Sequence, residues 1–110
     1  MYSGFANPEG TARFASRFPR QTAAGFFRQA QGLTVSSLGI GTYLGNPDDA
    51  TDSSYAASVS RAVRGGINFI DTSLNYRNQR SEISAGAALH GLFDSGTAKR
   101  DEIVVATKAG

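Results

Sequence analysis

The chain has 110 residues, 40% of them hydrophobic, and a net charge of +2 from 11 basic and 9 acidic side chains. That is enough apolar material for a core, and too small a charge excess to argue for nucleic acid or a membrane surface as partner. The absence of cysteine and the single histidine exclude disulfides, thiol catalysis and a histidine-rich metal site, and no apolar run approaches the roughly 18 residues of a spanning helix.

Residues 1–31 lack the apolar stretch of a secretory signal. They carry Arg13, Arg17, Arg20 and Arg28 against Glu9 alone, a composition shared with mitochondrial transit segments. A variable leader before the domain is the plainer reading, and a soluble cytoplasmic protein fits best. MYSGFANPEGTARFASRFP has Gly and Pro without a sustained period, which predicts irregular structure. AGFFRQAQGL, 24–33, is able to pair with the segment after it as a hairpin turning near Gly32. VSSLGIGTY follows, with Val35, Leu38, Ile40 and Tyr43 apolar among small residues, as in a short buried strand. LGNPDDATD reads as a loop.

Residues 54–64 switch to helical period, with Tyr55, Val59, Ala62 and Val63 on one face, Ser53 or Ser54 as cap and Gly65-Gly66 as the stop. INFID is then a strand whose near-continuous apolar character fits parallel pairing with both faces covered. After the loop TSLNYRNQ, residues 81–93 form a second helix, with Ser81 as cap and Ala85, Leu89, Leu92 and Phe93 inward. DSGTAKRD turns, and EIVVATK is a third apolar strand. Alternating strands and helices predict an α/β fold with parallel strands starting near 38, 67 and 103. Three strands leave two unpaired edges and an open apolar face. The expectation is therefore the N-terminal portion of something larger, with residues 1–31 as leader and 32–110 as a partial domain.

Polar residues collect where the strands end: Gly41, Thr42 and Tyr43, then Asp71, Thr72 and Ser73 with Tyr76 in the loop, then Thr107 and Lys108. In parallel α/β folds the carboxyl ends of the strands carry the active site. An ammonium beside a phenol lowers its pKa, and a carboxylate holds that ammonium charged and in place. Such a phenol can protonate a carbonyl oxygen. Each residue has a structural alternative: Asp71 as a loop cap, Tyr76 as loop packing, Lys108 as a solvated charge. Their joint appearance at three strand ends favours chemistry.

At these positions the sequence resembles the aldo-keto reductase family over residues 33–110. LTVSSLGIGTYLG is similar to the family's first strand, GINFIDTSLNY to its GxxxxDTAxxY signature, RSE at 80–82 to the start of its second helix, and EIVVATKAG to the strand with the catalytic lysine. The resemblance implies the opening βαβαβ portion of a (β/α)8 TIM barrel, incomplete in this chain. It implies reduction of a small-molecule carbonyl (or oxidation of the corresponding alcohol) with NADP(H), ahead of NAD(H). Tyr76 would be the general acid, Lys108 the cation beside it and Asp71 its partner, with Gly41, Thr42, Tyr43 and Asp71 at the nicotinamide end. The family's tetrad histidine lies on a later strand, and His90 does not match it. Arg77 replaces the glycine common after the tyrosine; Arg77 and Arg80 read as solvated loop charges, with an anionic substrate group as the alternative. Gly39, Gly41 and Gly45 fail the GxGxxG pattern at Leu44 and read as close packing, with Gly41 leaving room for a cofactor. The resemblance does not specify the oligomeric state. A chain of this extent is expected to be inactive by itself, and a non-catalytic regulatory subunit of the same family is the alternative function.

Overall fold

The computed structural model describes residues 4–109; Met1–Ser3 of the leader and Gly110 of the last motif lie outside them. Two short helices, α1 (Pro8–Ser16) and α2 (Pro19–Ala23), precede an antiparallel hairpin of β1 (Phe27–Ala30) and β2 (Leu33–Ser36). A three-stranded parallel sheet follows in the order β3-β4-β5, built from β3 (Ile40–Gly41), β4 (Phe69–Asp71) and β5 (Val104–Ala106). Helix α3 (Asp49–Arg64) connects β3 to β4, and α4 (Arg80–Asp94) with a 3-10 turn at Arg100–Glu102 connects β4 to β5. The alternation expected from the sequence is therefore present.

Both long helices bury the stripe their period defines. Val59 and Val63 of α3 and Ala85, Leu89 and Leu92 of α4 meet Ile70 of β4 and Ile103 ahead of β5, and Ile40 and Val105 pack against them. Ile70 is 0% exposed, so the helix-facing side of the central strand is dry. Helix α3 ends where the double glycine predicts, with Gly66 at φ +106, a conformation that costs glycine little.

The leader differs most from expectation: α1 and α2 make it helical over most of residues 8–23, and α1 belongs to the core. Asn7 caps α1 by accepting from the Gly10 amide at 2.7 Å, and Pro8 follows at the first helical position, where its missing N–H is not needed. Phe14 is 1% exposed and stacks edge-on with Phe27 of the hairpin at 6.2 Å. A Cβ at Gly10 would lie 2.3 Å from the Asp101 carbonyl oxygen, so glycine lets α1 press against the turn before β5. Arg13 and Arg17 then reach the Glu102 carboxylate. No local period announces this docking, because its contacts are with residues far along the chain.

Three further boundaries shift. VSSLGIGTY is not one buried strand: it divides between the hairpin and β3, and Leu38 and Tyr43 are 62% and 66% exposed. Helix α3 begins at Asp49, within the expected loop, because Asp48 accepts from the Thr51 amide at 2.8 Å and so caps it earlier. Ser81 does not cap α4, which starts at Arg80 after a left-handed Gln79; its hydroxyl is buried and donates to the Thr42 carbonyl at 2.5 Å. The hairpin turns at Gln31 and Gly32, with φ of 52° and 80°.

Candidate active site at the strand ends

Parallel register aligns Gly41 with Asp71 and Asp71 with Ala106, so all three strands finish at one edge. Beyond that line the loops are stitched together. The Thr72 amide donates to the Ala106 carbonyl at 2.8 Å, the Leu74 amide to the Lys108 carbonyl at 2.8 Å, and the Ser73 hydroxyl to the same carbonyl at 2.9 Å. These bonds carry Lys108 toward the residues that follow β4.

The Lys108 ammonium donates to Asp71 Oδ1 at 2.8 Å and to the Thr72 carbonyl at 2.8 Å. It stands 5.0 Å from the centre of the Tyr76 ring. Tyr43 packs edge-on to that ring at 5.1 Å. The hydrogen bond to Asp71 raises the Lys108 pKa above its ordinary value; desolvation opposes this, and the Tyr76 hydroxyl adds to the rise. About half of each ionic side chain remains in water, 51% for Lys108 and 44% for Asp71. The pair therefore contributes orientation more than stability. The expected trio of acid, phenol and amine is in contact, and Tyr43 joins it.

Gly41 and Thr42 differ in placement. A Cβ at Gly41 would meet no atom within 4 Å, and the cleft beside it, about 490 Å³, is walled by Val35, Ile40 and Phe69 and reaches Asp71. Thr42 is 0% exposed, with its hydroxyl donating to the Asp71 carbonyl at 3.0 Å. Its side chain is buried behind the rim and supports it there. Gly39 is a packing glycine, since a Cβ there would come within 2.8 Å of Phe69 Cδ1.

The two loop arginines correct the sequence reading more sharply. Arg77 is neither solvated nor open to a substrate anion: its side chain is 1% exposed and pairs with Asp52 at 2.5 Å. Asp52 also accepts from Arg80 at 2.7 Å, and Arg80 reaches Asp49 at 2.7 Å. These partners lie on the first turn of α3. His90 sits on the exposed side of α4, 3.1 Å from Asp94. Among the described residues there is no group of three or more metal-ligating side chains, and no helix long and apolar enough to cross a membrane.

Residues 37–110 match the aldo/keto reductase family along the stretch that contains β3, β4, β5 and all the rim residues. The chain is also 34% identical, over 84 residues, to a protein of Arabidopsis thaliana described as aldo-keto reductase family 4 member C11. That alignment covers 76% of this chain and 24% of the relative, so the chain spans about a quarter of the relative's length. On the extent of the family match and the order of its three strand-end blocks, this chain belongs to the aldo/keto reductase family.

Proposed function

We propose that this chain supplies part of the active site of an NADP(H)-dependent oxidoreductase that reduces aldehydes or ketones, with Tyr76 as general acid. NAD(H) is the second choice of cofactor. One observation carries the reading: the Lys108 ammonium stands 2.8 Å from the Asp71 carboxylate and 5.0 Å from the Tyr76 ring at adjacent strand ends. A free phenol titrates near pH 10 and is a weak acid at neutral pH. A cation beside the phenol oxygen stabilises negative charge as it develops there. Asp71 keeps the Lys108 ammonium charged and aimed. Tyr76 then donates its proton to the carbonyl oxygen as negative charge develops there, and Lys108 shares the charge left on the phenolate.

A nicotinamide cofactor, when bound, supplies the hydride for such a reduction. The fit is favoured by the open floor at Gly41 and the apolar walls beside Asp71, which suit a flat ring. Gly41, Tyr43 and Asp71 would hold that end of the cofactor, with Thr42 behind them. In this reading β3, α3, β4, α4 and β5 open a (β/α)8 barrel, and the trio lies on its carboxyl-terminal rim. The activity in this reading belongs to the full-length protein, since the chain spans about a quarter of the relative's length. The setting is cytoplasmic, and the partner is a small carbonyl compound or alcohol, with neither nucleic acid nor membrane involved. A regulatory subunit without turnover gives no reason for keeping all three side chains in contact.

Tyr76→Phe in the full-length protein should cut carbonyl reduction by more than roughly a hundredfold, the scale of a lost general acid. Activity within about twofold of wild type would sink the reading.

A further inference from the structure

We propose that Arg77 is a positioning residue for Tyr76: its buried guanidinium, fastened to α3, holds the left-handed loop that keeps the phenol over Lys108. The inference rests on the reading of Tyr76 as general acid and adds the device that aims it.

The loop after Tyr76 has an unusual backbone. Arg77, Asn78 and Gln79 are consecutive non-glycine residues with φ of 52°, 56° and 70°, in a region that side-chained residues rarely adopt. Such a run persists only where its surroundings impose it. Here the imposing contacts converge on one side chain. Arg77 Nε donates to the Asn46 carbonyl at 3.0 Å, one terminal nitrogen to Asp52 Oδ1 at 2.5 Å, and the other to Ser81 Oγ at 3.4 Å. The guanidinium lies over the Tyr55 ring at 4.8 Å. A rigid planar fork is needed to serve these directions together, and a lysine ammonium lacks that shape.

The anchor also reaches the rim. Ser81 Oγ donates to the Thr42 carbonyl at 2.5 Å, and Thr42 Oγ1 donates to the Asp71 carbonyl at 3.0 Å. Thus the residue next to Tyr76 is tied both to α3 and to the strand that supplies Asp71. Tyr76 itself is held by its backbone N–H donating to the Ser73 carbonyl at 3.1 Å, and by ring contacts with Tyr43 and Lys108. The titratable groups facing this rim are Lys108, Asp71 and Tyr43, with Glu82 reaching it through Thr107. Freeing Arg77 lets the phenol drift from Lys108 without removing any of them.

The test uses the full-length protein with Arg77→Gly, Arg77→Lys and Asp52→Asn, and Tyr76→Phe as control. Arg77→Gly relieves the left-handed strain while cutting the anchor, so a merely structural arginine predicts unchanged chemistry. The positioning role predicts that kcat falls by at least about tenfold in both Arg77 variants. It also predicts that the pH–rate profile moves, while cofactor affinity stays unchanged. Wild-type kcat and an unmoved pH profile would overturn the proposal. Should either Arg77 variant fail to fold, Asp52→Asn decides between the same two outcomes. If Tyr76→Phe retains activity within about twofold, the general-acid reading falls and takes this inference with it. If that control is crippled while the anchor variants match wild type, the inference alone fails.

Discussion

Replacing Glu102 with glutamine probes how the N-terminal helices are fastened to the sheet. The Glu102 carboxylate is 1% exposed and accepts from Arg13 Nε at 2.8 Å, from the Arg17 fork at 2.7 and 2.8 Å, and from the Lys99 amide at 2.9 Å. Burial by itself pushes this carboxyl up; the Arg17 fork, the Lys99 amide and Arg13 outweigh it and hold the pKa down at about 2. The fall from 4.5 to about 2 corresponds to about 3 kcal/mol. Arg13 and Arg17 keep 41% and 40% of their side chains in water, so solvent screening trims this to about 2 kcal/mol. Because the folded pKa is depressed, the contribution is complete above the unfolded value near 4.5 and is lost as pH falls through about 2. Urea unfolding of wild type and Glu102→Gln, followed by circular dichroism from pH 7 downward, reads the difference. We expect a deficit of about 2 kcal/mol at pH 7, with a melting point lower by about 10 °C, narrowing steadily below pH 4.5. A deficit that is the same at pH 7 and pH 3, or below about 0.5 kcal/mol throughout, would refute the argument.

Asn68 is 0% exposed and bridges three backbone groups: it accepts from the Ser36 amide at 2.9 Å and donates to the Thr34 and Glu102 carbonyls at 3.0 and 3.2 Å. Asn68→Ala should cost about 3 kcal/mol in urea unfolding and speed hydrogen exchange at the Ser36 amide. Thr72 Oγ1 is buried without a hydrogen-bond partner among the described residues, so Thr72→Val should be neutral or stabilising by up to about 1 kcal/mol in the same assay. Gly39→Ala brings a Cβ within 2.8 Å of Phe69 Cδ1 and should destabilise by about 1–3 kcal/mol, whereas Gly41→Ala enters open space and should leave the melting point alone. In the full-length protein, Gly41→Ala should instead weaken nicotinamide cofactor binding, read by fluorescence titration.

Periodicity made the helix-covered half of the fold legible. Val59 and Val63, and Ala85, Leu89 and Leu92, are apolar at helical spacing and are the residues the helices bury. The candidate site was legible for a different reason: in a parallel sheet the strand ends are found by counting, and their polar residues then stand out. What the sequence conceals are contacts between distant residues. Arg17 and Glu102 are 85 residues apart, and Arg77 and Asp52 are 25 apart. A lone arginine in a polar loop gives no local sign that an acid on another helix will bury it. Ser81 misleads similarly. A serine ahead of a helix resembles a cap, yet its hydroxyl is taken by the Thr42 carbonyl because left-handed Gln79 starts the helix sooner. Helix α1 did carry a local signal in Asn7 and Pro8, but its burial depends on Gly10, Thr11 and Phe14 meeting residues of the hairpin and of the turn before β5.

The core also sets the geometry of the rim. Side chains alternate along a strand, so Ile70 points into the helix-covered layer while Phe69 and Asp71 point to the opposite face. A one-residue slip of β4 would withdraw Ile70 from that layer, forfeiting about 1.5–3 kcal/mol of burial. It would also press the Asp71 carboxylate among Val59, Leu92 and Ile103, where it would be desolvated without Lys108. Both penalties oppose the slip. The apolar layer thus holds the register that aligns Gly41, Asp71 and Ala106, and this alignment sends Lys108, two residues beyond β5, back onto Asp71 and beneath Tyr76.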